Sequence, residues 1–101
     1  MRYSLPPLAL VCEQVHALGV ACSIEYPGYL AVPVDALVLN VGTANGEWGA
    51  DLTTSDGLQV AGSGVVGTLA ESIPGDSTDI ARIARAIVVA VNNVRVWKEA
   101  E

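Results

Sequence analysis

The pair Asn45-Gly46 constrains this chain more than any other feature. A two-residue type I′ turn needs positive φ at both central positions, and Asn-Gly meets that need at the lowest cost. Folding the chain there sets Thr43 against Trp48, Val41 against Ala50 and Leu39 against Leu52 on one face. The opposite face then pairs Ala44 with Glu47, Gly42 with Gly49, and Asn40 with Asp51. Side chains alternate across a strand, so a slip of one residue would turn the apolar set toward water.

Neighbouring turns extend the same two faces. A loop of Pro27, Gly28 and Tyr29 pairs Tyr26 with Leu30, Ile24 with Val32, and Cys22 with Val34. A reversal at Asp35-Ala36 pairs Val34 with Leu37, Val32 with Leu39, and Leu30 with Val41. A loop of Ser55, Asp56 and left-handed Gly57 sets Thr54 against Leu58 and Leu52 against Val60, and brings Trp48 near Gly64. Three turns chosen independently agree on which residues face the core, and such agreement between levels marks a foldable pattern.

Helical spacing flanks the strands. Ser4 caps a helix over about residues 5–18, with Pro6 and Pro7 in its first turn, an apolar stripe of Leu8, Val11, Cys12, Val15 and Leu18, and a stop at Gly19. Ser77 or Thr78 caps a second helix with the stripe Ile80, Ile83, Ala84, Ile87, Val91 and Val94; Arg82, Arg85 and Asn92 fall on its other side. The run IVVAVNNVRVW is rich in β-branched residues, and Asn92-Asn93 offers a hairpin, so this helix is expected to end near residue 92. The expected fold is a single α+β domain over residues 1–101. It has two layers, with an antiparallel meander of about five strands and the N-terminal and C-terminal helices on one face.

Composition narrows the function. Eleven acids against five bases give a net charge of −6, the wrong sign for a surface that meets phosphates, so direct nucleic-acid binding is not expected. The acids are scattered along the chain, which does not indicate mimicry of a nucleic-acid backbone. No segment approaches the ~20 apolar residues of a membrane span, and the N-terminal stretch is no signal peptide, so a cytoplasmic protein is expected. Cys12 and Cys22 match no metal or redox spacing and read as free, buried thiols.

Several motifs imitate functional sites. Gly62 to Gly67 read GSGVVG, yet the chain reaches Ile73-Pro74 before the helix a dinucleotide fingerprint requires. DLTTSDG resembles a calcium loop, but Asp56 stands where the loop glycine belongs and Gly62 where the final glutamate belongs. Cys12 and His16 are four apart on a helix, a spacing that lets a thiol and an imidazole meet. Cys12 belongs to the apolar stripe, however, and no third group is in view to orient the ring, so a packed cysteine beside a surface histidine is expected. Glu47, Asp51 and Asp56 read as solubilising turn acids rather than an acid–base pair. Trp48 faces the core beside the hairpin tip, where it could also anchor a partner.

The segments EYPGYLAV, GTANGEWGADLTTSDG and STDIARIARAI resemble small uncharacterised proteins of bacteriophages and prophages of high-GC bacteria. The resemblance covers about half the chain and rests on turn chemistry. It implies a mobile-element origin and no activity; small acidic phage proteins often bind a host protein, CRISPR effectors included. The expectation is therefore a non-enzymatic protein-binding module that inhibits a host defence complex, without metal or cofactor. Its expected surface carries Asn40, Glu47, Trp48, Asp51 and Asp56. The alternative is a self-associating structural protein, for which Val38, Val89 and Val96 supply apolar contacts.

Overall fold

The computed structural model describes residues 7–25, 28–60 and 67–100. In chain order these form α1 (Leu8–Ala17), β1 (Ser23–Glu25), β2 (Tyr29–Val34), β3 (Leu37–Ala44), β4 (Glu47–Thr54) and α2 (Ile80–Glu99). The strands make one antiparallel sheet in the order β1-β2-β3-β4, so the described residues form an α+β meander with two helices.

Around Asn45-Gly46 the pairing is as the turn chemistry requires: Thr43 opposes Trp48, Leu39 opposes Leu52, and Asn40 opposes Asp51. Asn45 and Gly46 take φ of 54° and 81°, as a type I′ turn demands. The β2–β3 register also matches, and its glycine-free reversal is made by Asp35 at φ 57°. Aspartate tolerates this left-handed conformation better than most residues.

The β1–β2 register differs from expectation. Ile24 opposes Leu30 rather than Val32, and Ser23 and Glu25 oppose Ala31 and Tyr29. The chain reverses between Glu25 and Tyr29, and Gly28, at φ 153°, stands directly before β2 instead of at the centre of the turn. Tyr26 and Pro27 lie outside the described residues. The shift leaves each β1 residue on its expected face, but it draws Tyr29 out of the loop and into β2.

Among the described residues the sheet has four strands, not about five. Beyond Gly57 (φ 86°) the expected register holds: the Thr54 N–H donates to the Leu58 carbonyl at 2.9 Å, and the Val60 N–H donates to that of Leu52 at 3.3 Å. This contact amounts to a single bridge between Thr53 and Gln59. The far end of the same edge is taken by another segment, where Glu47 bridges Pro74 and the Trp48 N–H donates to the Ile73 carbonyl at 2.8 Å. Two short contacts thus divide the edge that one long strand was expected to fill. Gly64 and the rest of the GSGVVG run up to residue 66 lie outside the described residues.

Helix α1 is shorter than expected, starting after Pro7; Ser4 and Pro6 lie outside the described residues. Its end is a Schellman motif: the Gly19 N–H donates to His16 O at 2.9 Å and the Val20 N–H to Val15 O at 3.2 Å, with Gly19 at φ 86°. Leu18 becomes the C-cap and is largely exposed instead of joining the apolar stripe. Helix α2 is capped by Asp79, whose Oδ1 accepts from the Arg82 N–H at 3.2 Å, one residue beyond the expected caps. It runs past Asn92-Asn93 to Glu99, because Val94 continues the buried stripe and Trp97 packs on the core.

The core is one cluster. Val11 and Val15 of α1 and Ile83, Ile87, Val91 and Val94 of α2 join the inward residues Leu30, Val32, Val34, Leu39, Val41 and Leu52 of the sheet. The helices pack on each other and lean on β1 and β2. Over β3 and β4 the segment 67–74 closes the core, with Ile73 fully buried and Gly67 against Leu52.

Candidate functional site

With one face of the sheet sealed, no described helix or strand covers the other. Gly42 and Gly49 oppose each other across β3 and β4, so the pleat has no side chains there. The result is an open groove of about 660 Å³, whose walls include Tyr29, Asn40, Asp51 and Thr53. The two glycines play different parts. A Cβ on Gly42 would touch the Tyr29 Cβ at 3.4 Å, a van der Waals contact; a Cβ on Gly49 would meet nothing within 4 Å.

Polar groups hold the floor together. Asn40 Nδ2 donates to Asp51 Oδ1 at 3.1 Å and to Thr53 Oγ1 at 2.9 Å, and Thr53 is the one polar side chain buried among the described residues. A third, longer contact runs from the same Nδ2 to the Val38 carbonyl at 3.4 Å, so two amide protons serve three acceptors. The Asn40 side chain is thereby fixed across the β3–β4 ladder, and Asp51 is held at the groove wall.

Of the expected surface residues, the fold brings Asn40, Asp51 and Glu47 to this face. Glu47 sits at the hairpin end, its carboxylate accepting from Ser72 Oγ at 2.6 Å. Asp56 is exposed in the turn after β4. Trp48 is separated from them: it points to the opposite face and is only 3% exposed, and its indole N–H has no hydrogen-bond partner among the described residues. It belongs to the core, and the hairpin tip does not present it. Tyr29 was missed because the expected loop had absorbed it.

Charge divides the molecule. Scattered in sequence, Glu25, Glu47 and Asp51 fold onto the outer face, with Asp35 and Asp56 at the turns beside it. Every described Lys and Arg lies on α2: Arg82, Arg85, Arg95 and Lys98. Arg82 is itself paired with Glu71 at 2.8 Å. The groove therefore opens into a field of one sign, with no base among the described residues of the sheet to screen it.

A second constellation lies on the far side, where α1 meets the chain entering β1. The Schellman turn folds Cys22 back onto the helix. His16 Nε2 lies 2.7 Å from the Cys22 carbonyl oxygen and 3.2 Å from its backbone nitrogen. With the proton on Nε2 the ring donates to the carbonyl; in the other tautomer it accepts from the N–H. The Cys12 thiol donates to the same carbonyl at 3.3 Å, and its sulfur is 4.0 Å from His16 Nε2. Both cysteines are free and buried, as expected. Burial, followed by the hydrogen bond and charge of Cys12, pushes the Cys22 thiol from 9.0 up to about 12. The Cys22 backbone is the third group that orients the histidine. Nothing in the linear spacing announces it, because it depends on the path of the turn.

Among the described residues no group of three His, Cys, Asp or Glu side chains could hold a metal ion, and no helix is long and apolar enough to cross a membrane. Comparison with protein-family models, with curated proteins and with solved structures finds no match to this chain.

Proposed function

We propose that the protein is a non-enzymatic binding module that holds a basic segment of a partner protein against the outer face of its sheet. The observation that carries this reading is the groove over Gly42 and Gly49, floored by backbone and walled by Tyr29, Asn40 and Asp51 on a face whose described charges are all acidic. Bare backbone admits close approach, Tyr29 offers an apolar wall, and Asp51 and Glu25 complement lysine or arginine. Trp48 has no part in this surface. The resemblance to phage-borne proteins makes host proteins with basic channels the first partners to test, CRISPR effectors foremost, with the protein acting as an inhibitor in the host cytoplasm.

The test uses a fluorescein-labelled decapeptide of alternating Lys and Val, its Glu-Val counterpart, and fluorescence anisotropy. The basic peptide should bind, and binding should weaken as salt is raised. Asp51→Lys and Gly49→Thr should each weaken it by about tenfold or more, the loss of one good contact at ~1.4 kcal/mol. Glu13→Lys, an exposed reversal on α1, should leave it unchanged. Equal losses in Asp51→Lys and Glu13→Lys would reduce the effect to net charge, and no binding of the basic peptide would remove the proposal.

Self-association is the second reading, favoured by Val89 and Val96, which lie on one stripe of α2 and are 46% and 66% exposed. Sedimentation velocity decides it. A dimer that persists on dilution and is lost in Val96→Asp supports this reading; a monomer at micromolar concentration rejects it.

A further inference from the structure

We propose that Cys12 and Cys22 are an oxidisable pair that a hydroperoxide converts to an intramolecular disulfide, tying the middle of α1 to the chain entering β1, with His16 taking the Cys12 proton. This inference is independent of the binding surface and rests on three placements. The Schellman turn at Gly19 returns Cys22 to the side of α1 that carries Cys12. The Cys12 sulfur lies 3.3 Å from the Cys22 carbonyl oxygen, and both cysteines are buried in the same cluster, so the bond asks for rotation of two neighbouring side chains. The single histidine of the chain is 4.0 Å from the Cys12 sulfur, its ring held by the Cys22 backbone.

The roles of the two thiols follow from their surroundings. Cys22, buried beside a second thiol, keeps its proton and is a poor first nucleophile. Cys12 has the base, and His16 is exposed at the surface end of the cluster, where a molecule as small as hydrogen peroxide can approach. The 2.7 Å contact fits an Nε2–H that donates to the Cys22 carbonyl, so His16 becomes the base when its proton stands on Nδ1; Nε2 then accepts from the Cys22 N–H and takes the Cys12 proton. The thiolate attacks one peroxide oxygen, the O–O bond breaks, and the departing hydroxide is protonated to water, leaving a sulfenic acid on Cys12. The Cys22 sulfur then attacks the Cys12 sulfur. The S–O bond breaks, and the hydroxide leaves as water with the Cys22 proton. In sum, two thiols supply two electrons and two protons, and one peroxide becomes two waters.

The experiment treats the reduced, folded chain with hydrogen peroxide and follows intact mass together with maleimide-reactive thiols after unfolding. Both thiols should disappear together, the mass should fall by two hydrogens, and dithiothreitol should restore both. Oxygen additions without the loss of two hydrogens, or thiols that stay intact in the folded chain, overturn the proposal. Cys22→Ser should stop at a Cys12 sulfenic acid that dimedone traps; an unlabelled Cys12 in this variant, folded by circular dichroism, overturns the order of attack. His16→Gln should slow disulfide formation by about tenfold or more. An unchanged rate overturns the role given to the histidine.

Discussion

The two faces of the β3–β4 hairpin come from the same sixteen residues, Leu37–Ala44 and Glu47–Thr54, and are built on opposite rules. Inward, Leu39, Val41, Trp48 and Leu52 are large and almost wholly buried. Outward, the corresponding ladder positions carry Asn40, Gly42, Gly49 and Asp51, small or polar residues around a groove. The inner face gains stability from every methylene it buries, at ~0.8 kcal/mol each. The outer face forgoes that gain at Gly42 and Gly49, where glycine weakens a strand. A sheet that needed only to fold would carry β-branched residues there. This contrast is what supports the proposed binding role of the outer face.

The sharpest way to break this comparison is to cut into the inner face. Leu39 is fully buried and stands between Val32 and Leu52 on the neighbouring strands. Leu39→Ala should cost about 2–5 kcal/mol, measured by urea unfolding, because it removes buried surface and leaves a cavity that the neighbours on β2 and β4 cannot fully close. A loss below ~1 kcal/mol would mean the inner face is loosely packed, and the contrast would fail.

A smaller effect tests how tightly the core is closed over β4. A Cβ on Gly67 would lie 2.8 Å from the Leu52 Cβ. Gly67→Ala gains ~0.4–1 kcal/mol by restricting the unfolded chain, while overpacking costs ~1–3 kcal/mol, so net destabilisation is expected. Combining it with Leu52→Gly, which removes that Cβ, should recover part of the loss, whereas Leu52→Ala keeps the Cβ and should recover none. Additive losses in this double-mutant cycle would place the crowding elsewhere.

How much of this was legible beforehand depended on what decides each feature. The β3–β4 pairing could be read because Asn45-Gly46 admits one turn geometry and the strands on both sides alternate. The β1–β2 register could not. Pairing Ile24 with Leu30 or with Val32 leaves Ile24 on the same face, so the apolar pattern is blind to a shift of two residues and only the loop around Gly28 decides. That shift hid Tyr29, and with it one wall of the groove. Asn40 and Asp51 were found because the ladder sets them side by side. The cluster of Cys12, His16 and Cys22 was half visible: the helix spacing showed the first two, and the Schellman turn at Gly19 supplied the third. The expected end of α2 near Asn92 follows from local β-propensity and the Asn92-Asn93 pair, whereas the burial of Val94 and the packing of Trp97 carry the helix to Glu99.

The smallest expected effect on stability is the most informative about the outer face. Gly49 has ordinary backbone conformation, is exposed, and has open space where a Cβ would stand. Gly49→Thr therefore introduces no clash and replaces a poor strand former with a good one. Stability in urea should be unchanged or higher, by up to ~1 kcal/mol. The same threonine stands in the groove opposite Gly42 and fills the space a partner's main chain would use. If stability holds or rises while basic-peptide binding is lost, the glycine is there for the partner and not for the fold. If binding survives a filled groove, contact lies elsewhere on the acidic face, and the glycine pair is only a flat place in the sheet. If instead Gly49→Thr destabilises the chain as Leu39→Ala does, the outer face is as tightly constrained as the inner one, and the comparison on which the functional reading stands collapses.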